Sequence, residues 1–240
     1  MNRKEKNMDY YTDRNNRVFL SGTIVGNAEF SHEVYGEGFY EMKVSVLRLS
    51  GQADVLPVTI SERLIADKNL KTGSTLNAFG QFRSYNKLVD GKSKLLLTVF
   101  VRELFDDMAG RNPNNIVLSG YLCKPPVYRT TPFSREIADL LVAVNRSYNK
   151  SDYIPCIAWG RNARYVKNLA VGERIALSGR IQSREYQKKF SETDVRVLTA
   201  YEVSVGKLAA CENAEHFDLD GEFGIVSPAP HLFGAVKEQF

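Results

Sequence analysis

K-N-L-K-T-G-S-T-L-N-A-F-G-Q-F-R-S at residues 68–84 and K-N-L-A-V-G-E-R-I-A-L-S-G-R-I-Q-S at 167–183 are two versions of one segment. Lys, Asn, Leu, two Gly and a Ser coincide at an offset of 99. Upstream, V-F-L-S-G at 18–22 meets I-V-L-S-G at 116–120, and Pro57 meets Pro155, both at an offset of 98. Leu97-Thr98 also matches Leu198-Thr199. Common order at a nearly constant offset means two copies of one domain of roughly 100 residues, a tandem pair rather than a solenoid. The pattern divides the chain into an N-terminal arm (1–14), a first domain (15–105), a linker (106–114), a second domain (115–208) and an acidic C-terminal tail (209–240).

Each copy has the same coarse grammar. In the second, β-branched and alternating runs predict strands at 115–122, 138–146 and 153–159. Pro155 inside the third of these predicts an edge position or a bulge. Residues 161–169 lack Gly and Pro and predict about two helical turns, stopped by Gly172. Strands at 173–186, with a bend at Gly179, and at 194–205 complete the copy. The first copy repeats the order with strands at 17–25, 40–49, 55–60, 75–85 and 95–103 and a helix near 62–70. Three strands, a short helix and two strands is the order of the OB barrel. The expected fold class is therefore all-β: two tandem five-stranded OB barrels, one short helix in each, and a flexible acidic tail.

Composition agrees with a folded, water-exposed chain. Of 240 residues, 43% are hydrophobic and 25% charged, which excludes a wholly disordered polypeptide. No run of roughly 18 apolar residues could serve as a membrane helix, and the polar start M-N-R-K-E-K-N-M-D-Y lacks a signal-peptide core. A cytoplasmic protein without a membrane partner is expected. Cys123, Cys156 and Cys211 form no C-x-x-C pair and read as reduced thiols, and His32, His216 and His231 are scattered, so neither metal nor cofactor is expected.

Charge is unevenly spread. Residues 1–110 carry 15 Lys+Arg against 14 Asp+Glu, residues 111–210 carry 16 against 8, and residues 211–240 carry 1 against 6. A basic second domain calls for a polyanionic partner. Enzymatic signatures are missing: there is no G-x-x-x-x-G-K-[ST], H-E-x-x-H or G-x-S-x-G, and the acidic residues of the second copy are dispersed. D-L-D-G-E at 218–222 lacks the third ligand and the spacing of a calcium loop.

The second copy resembles the bacterial single-stranded DNA-binding proteins. The resemblance is carried by N-I-V-L-S-G-Y-L (115–122), V-Y-R-T-T-P-F (127–133), L-L-V-A-V-N-R (140–146), Y-I-P-C-I-A-W-G-R-N-A (153–163) and G-E-R-I-A-L-S-G-R-I-Q-S-R-E-Y (172–186). It implies a non-catalytic, sequence-independent binder of single-stranded DNA that protects and organises it in replication, recombination and repair. It places base-stacking aromatics at Tyr148, Tyr153, Trp159 and Tyr186. Members of the family present four OB folds per particle, which for a two-fold chain implies a homodimer. The runs V-F-L-S-G and I-V-L-S-G are the expected contact, the competing arrangement being a monomer whose two folds satisfy each other's edges. An acidic tail recruits replication and repair proteins in the family, but V-K-E-Q-F at the end of this chain lacks the family's Asp cluster and Pro.

Single strands are held by cations along the phosphates and flat rings under the bases. Around the four aromatics the sequence offers Arg129, Arg146, Lys150, Arg161, Arg180, Arg184, Lys188 and Lys189. Tyr128, Tyr165 and Tyr201 read as core or rim. The first copy has Ser61, Val55 and Ser50 where the second has Trp159, Tyr153 and Tyr148, and reads as an auxiliary or assembly domain. Its candidates are Tyr85 and Lys87, then Phe39, Tyr40, Lys92 and Lys94, with Phe82 read as core. Two alternatives stay open: a primosome-type or mobile-element accessory protein that bridges proteins, and an RNA-binding OB module.

Overall fold

The computed structural model describes residues 15–210, apart from 67, 69, 90, 108, 109, 190, 192 and 193. The expected arm at 1–14, Cys211 and the rest of the tail to 240 lie outside the described residues. Six strands form the first half: β1 (Asn16–Ile24), β2 (Glu29–Val34), β3 (Glu37–Leu47), β4 (Ala53–Ser61), β5 (Thr75–Val89) and β6 (Lys92–Leu104). Six equivalent strands form the second: β7 (Asn114–Leu122), β8 (Val127–Thr130), β9 (Glu136–Arg146), β10 (Lys150–Trp159), β11 (Arg174–Lys189) and β12 (Val195–Ala210). Helix α1 (Glu62–Ala66) follows β4 and α2 (Arg161–Val166) follows β10. No described helix is long and apolar enough to cross a membrane.

Each half closes on itself. The ladders run β1–β3–β4–β6–β5 and back to β1, and β7–β9–β10–β12–β11 and back to β7, giving two five-stranded barrels of the expected OB order. β2 and β8 are additional short strands, each paired only with the next strand along the chain. They went unread because one face of a short outer hairpin arm carries no apolar alternation: all six residues of β2 are exposed. The helices end before the expected 70 and 169. After Val166 the chain tightens to three-residue bonds, Asn168 N–H to the Tyr165 carbonyl and Leu169 N–H to the Val166 carbonyl, and leaves the helix.

Two sequence expectations are corrected by register. Pro155 makes no bulge: β10 pairs with β9 without a break from Lys150↔Arg146 to Trp159↔Ile137, while its parallel ladder to β12 involves Cys156 and Ile157. The missing N–H of Pro155 thus falls where β10 needs no second partner. The Leu97-Thr98 match is out of register, because Ser84 faces Leu97 whereas the equivalent Ser183 faces Tyr201. The second β-hairpin is longer, which moves the offset of the last strand to 104. The bend at Gly179 is real, with a register shift between Ser178 and Gly179 that is repeated at Phe79/Gly80. A Cβ at either glycine would collide with a carbonyl oxygen of the facing strand, Ser204 or Phe100.

β1 and β7 pair antiparallel with each other, centred on Val18↔Ile116. Those two residues are the offset-98 equivalents, so the barrels are related by a pseudo-twofold axis within one chain. Six strands, β6-β5-β1-β7-β11-β12, thereby run continuously across both barrels. The runs V-F-L-S-G and I-V-L-S-G therefore meet inside the chain. This is the arrangement that competed with a dimer formed through them, and it consumes the edges on which that contact rested. It also explains why both runs are nearly solidly apolar: β7 is buried on both faces except at Tyr121.

Where β1 and β7 part from their hairpin neighbours, a side chain takes over from the main chain. The Asn16 amide donates to the Phe82 carbonyl at 2.7 Å and accepts its N–H at 2.9 Å. Asn114 does the same with Ile181, at 2.7 and 2.9 Å. The two barrels are also latched by a reciprocal pair of buried carboxylates. Asp54 of the first accepts the Ser183 N–H at 2.8 Å, and Asp152 of the second accepts the Ser84 N–H at 2.7 Å. Arg48 binds Asp54 through two nitrogens, at 2.7 and 2.5 Å, and Arg180 reaches across to it at 3.1 Å.

Candidate nucleic-acid interface

The second barrel has an aliphatic core. Ile116, Leu118, Leu122, Val142, Val144, Ile154, Ile175, Leu177 and Ile181 fill it, and no described aromatic side chain of this barrel is buried. Its rings stand outside instead. Tyr148, Tyr153, Trp159 and Tyr186 are 93%, 43%, 37% and 38% exposed. The unbroken β9–β10 register keeps Tyr153 and Trp159 on one face, outward, while Ile154, Cys156 and Ala158 point in. The Trp159 indole N–H donates to Ser204 Oγ at 3.2 Å, which fixes the plane of the ring.

Tyr148 sits at the tip of the β9–β10 hairpin with φ 62°, next to Asn149 at 53°. A left-handed backbone costs a bulky residue about 1 kcal/mol or more and is a place where function is to be sought. Nothing in the barrel covers the ring in return.

Two of the grooves between the barrels are pseudo-twofold mates. The first, about 1000 Å³, is lined by Lys43 of β3, by Arg48 and Gln52 of the β3–β4 turn, and by Arg135, Trp159, Arg180, Arg184 and Tyr201 of the second barrel. The other, about 360 Å³, is lined by Gln81, Arg83 and Arg102 of β5 and β6 and by Arg146, Tyr148 and Lys150. Arg48 and Arg146, Gln52 and Lys150, and Gln81 and Arg180 are equivalent positions. Among the described residues Glu185 alone is an acidic lining side chain of the first groove, and none lines the second. Such surfaces hold a polyanion, and flat rings at their edges accept unpaired bases.

The sequence candidates divide accordingly. Trp159, Arg180 and Arg184 meet in the first groove, and Arg146, Tyr148 and Lys150 in the second. Arg146 and Arg180 are anchored below, on Asp152 at 3.2 Å and Asp54 at 3.1 Å, so they latch the barrels as well as facing the grooves. Burial, with Arg48 close by, pulls Arg180 below the ordinary guanidinium range. Tyr186 lies on the β11–β12 hairpin with the Arg184 guanidinium 5.9 Å from its ring centre. Lys188 and Lys189 follow on the same exposed hairpin arm. Arg129 on β8 is paired with Asp139 at 3.0 Å, away from both grooves, and Arg161 is exposed on α2. In the first barrel Phe82 is fully buried core, as read. Lys87 is exposed near the end of β5, but Tyr85 donates to Glu41 at 3.1 Å. Burial, reinforced by that carboxylate, pushes the Tyr85 phenol up to about 12. Tyr165 is exposed, while Tyr128 and Tyr201 are rim residues packed against the core.

Sequence reading missed Lys43, Arg48, Arg83 and Arg102, because the near-neutral charge of the first copy hides a local cluster. Arg48 carried a signal, its equivalence to Arg146. Phe133, 86% exposed on the loop after β8, was missed as a candidate as well.

Comparison with known proteins points the same way. Residues 113–207 match the single-strand binding protein family. Single-stranded DNA-binding protein 1 of Staphylococcus aureus (strain COL) is 39% identical over 83 residues, 32% of this chain and 50% of that protein. Single-stranded DNA-binding protein A of Bacillus subtilis (strain 168) is 36% identical over 83 residues, 32% of this chain and 48% of that one. This chain thus spans about half the length of those curated relatives. The crystal structure of wild-type single-stranded DNA binding protein from Thermus aquaticus shares the fold at a TM-score of 0.62. That match has 21% identity and covers 81% of this chain and 92% of that one. The family match is thus confined to residues 113–207, the barrel that displays its aromatic rings.

Proposed function

We propose that this chain binds single-stranded DNA without sequence preference, by stacking bases on exposed aromatics and pairing phosphates with the cations of the inter-barrel grooves. It acts without catalysis, and its work is to protect and organise single strands during replication, recombination and repair on the nucleoid. The observation that carries the reading is the division of labour in the second barrel: an aliphatic core inside, and Tyr148, Tyr153, Trp159 and Tyr186 outside. A barrel that can be packed without rings gains nothing in stability from rings held in water.

The test is a titration with oligo-dT, oligo-U and duplex DNA of equal length, followed by quenching of Trp159, the single tryptophan. Tight binding of oligo-dT with quenching, and weaker binding of duplex, is the expected result. Log affinity should fall with log salt by about 0.7 per phosphate contacted. Equal affinity for duplex, or no quenching at saturation, overturns the reading, and a preference for oligo-U moves it to RNA.

The particle is proposed to be a homodimer with four OB folds, built through a surface other than β1 and β7. Light scattering at about twice 27.1 kDa supports this, and a mass near one chain refutes it. Recruitment of replication or repair proteins by the acidic tail is proposed with it. Deleting residues 211–240 should abolish such contacts and leave oligo-dT affinity intact.

A further inference from the structure

The first barrel lacks an aromatic at every position where the second has one of the expected stacking residues on its β9–β10 hairpin. Its surface is nonetheless not bare of rings. His32 on β2 stacks on Phe39 of β3, centroids 5.1 Å apart and planes 12° from parallel. Phe39 leans on Phe100 of β6 at 5.6 Å. The Arg83 guanidinium of β5 lies over Phe100, 4.0 Å from the ring centre. His32 is exposed, and both phenylalanines and Arg83 are half-buried.

The ladders show where this column stands. Phe39 pairs with Ser61, as Ile137 pairs with Trp159. Phe100 pairs with Thr59, as Ser204 pairs with Ile157. One corner of each barrel therefore contains the same three positions. The second fills them with Ile137, Trp159 and Ser204, the serine bonding the indole. The first fills them with Phe39, Ser61 and Phe100. The aromatic surface is kept while the strands that supply it are exchanged.

Arg83 also lines the smaller groove, together with Arg102 and with Tyr148 of the other barrel. A strand leaving Tyr148 thus meets two cations and then a row of rings. We infer that His32, Phe39 and Phe100, with Arg83 at their head, are a second base-stacking platform. It continues the path of a single strand from the second barrel onto the first, making the first a binding domain in its own right. This rests on the single-strand binding proposed above. An unpaired base is the ligand the chemistry fits: the column offers a guanidinium at one end and, at the other, the exposed His32 ring backed by Phe39.

The experiment uses the full chain and the double variant Phe39→Leu/Phe100→Leu, which keeps apolar volume and removes the π faces. Two oligo-dT lengths are compared, about 8 nucleotides, within reach of one fold, and about 30, long enough for two. The expected result is a loss of about tenfold for the long oligonucleotide, a shorter occluded length on poly(dT), and unchanged affinity for the short one. An unchanged occluded length and long-oligonucleotide affinity overturns this inference while leaving the general reading intact. Failure of the parent chain to bind either length overturns both. Photocrosslinking of the unaltered chain with 5-iodouracil-substituted oligo-dT gives an answer that does not depend on the variant's folding. Adducts on His32, Phe39 or Phe100 support the platform, and adducts confined to the second barrel refute it.

Discussion

The two barrels share strand order, glycine bends, asparagine patches and a reciprocal carboxylate latch, and they differ in where their rings go. The first buries Phe82 in its core and Phe19 on the opposite face of β1, against Phe105 and Arg111, while the second buries none of its described rings. The fold accepts both, because an OB interior needs volume rather than flatness. The rings of the second barrel are therefore free to be placed for contact with something outside. A similar divergence affects the latch. Asp54 is bound by Arg48, Arg180 and the Ser183 N–H, whereas Asp152 has Arg146 and the Ser84 N–H and keeps Oδ2 buried without a hydrogen bond.

The largest expected effect breaks the stronger latch. Asp54→Ala strands Arg48 and Arg180 at the seam and should cost about 3 kcal/mol, in the range for breaking a buried ion pair. Asp152→Ala should cost about half as much, since fewer bonds are lost. Urea denaturation of both variants ranks them, and equal losses would mean the two latches are equivalent despite their different partners.

Next comes binding. Trp159→Ala and Tyr186→Ala should each weaken oligo-dT binding by about 1–3 kcal/mol with the fold retained, the usual loss per stacked base. Tyr85→Ala should cost less, because its hydroxyl is tied to Glu41 and a carboxylate there repels phosphate. Fluorescence anisotropy with labelled oligo-dT reads all three.

Tyr148→Gly should act in opposite directions on stability and binding. Releasing the left-handed tyrosine should stabilise the chain by about 0.5–1 kcal/mol, while oligo-dT affinity falls. A loss of both would show that the ring packs on the barrel rather than serving a ligand.

The smallest effect is in pH. Burial raises the Asp152 carboxyl above its ordinary 3.8, against the opposing pull of the Ser84 N–H, Arg146 and Arg83. The native state therefore takes up this proton at a higher pH than the unfolded chain does. As pH rises from the ordinary value through the raised one, the contribution of Asp152 to stability falls, and above that window it is level. Asp152→Asn removes this dependence. The stability of the wild type relative to the variant should thus improve on going from pH 7 to pH 4, as measured by urea unfolding at each pH.

Much of this was legible in the residues themselves. The repeat at 68–84 and 167–183 fixes two copies, and within each copy the alternation of inward and outward side chains fixes strand order. A strand buries every second residue, so its pattern is written locally. Parity likewise puts Tyr153 and Trp159 on one face of their strand, whereas the choice of Tyr148, Tyr153, Trp159 and Tyr186 as stacking residues came from the family resemblance. β2 was not legible, because an arm with no buried face leaves no pattern to read.

What only the tertiary structure decided is how strands distant in sequence are brought together. The meeting of β1 with β7, the Asp54 and Asp152 latches, and the grooves whose walls Lys43 shares with Trp159 and Arg83 shares with Tyr148 all join residues from different copies. So does the dual position of Arg146 and Arg180, which face the grooves from above a buried carboxylate of the seam. Each of these depends on the angle at which two closed barrels share one sheet. A sequence records the period of its own strands, but the relative placement of two barrels is set by packing across a surface whose partners lie roughly 100 residues apart, and no local pattern encodes it.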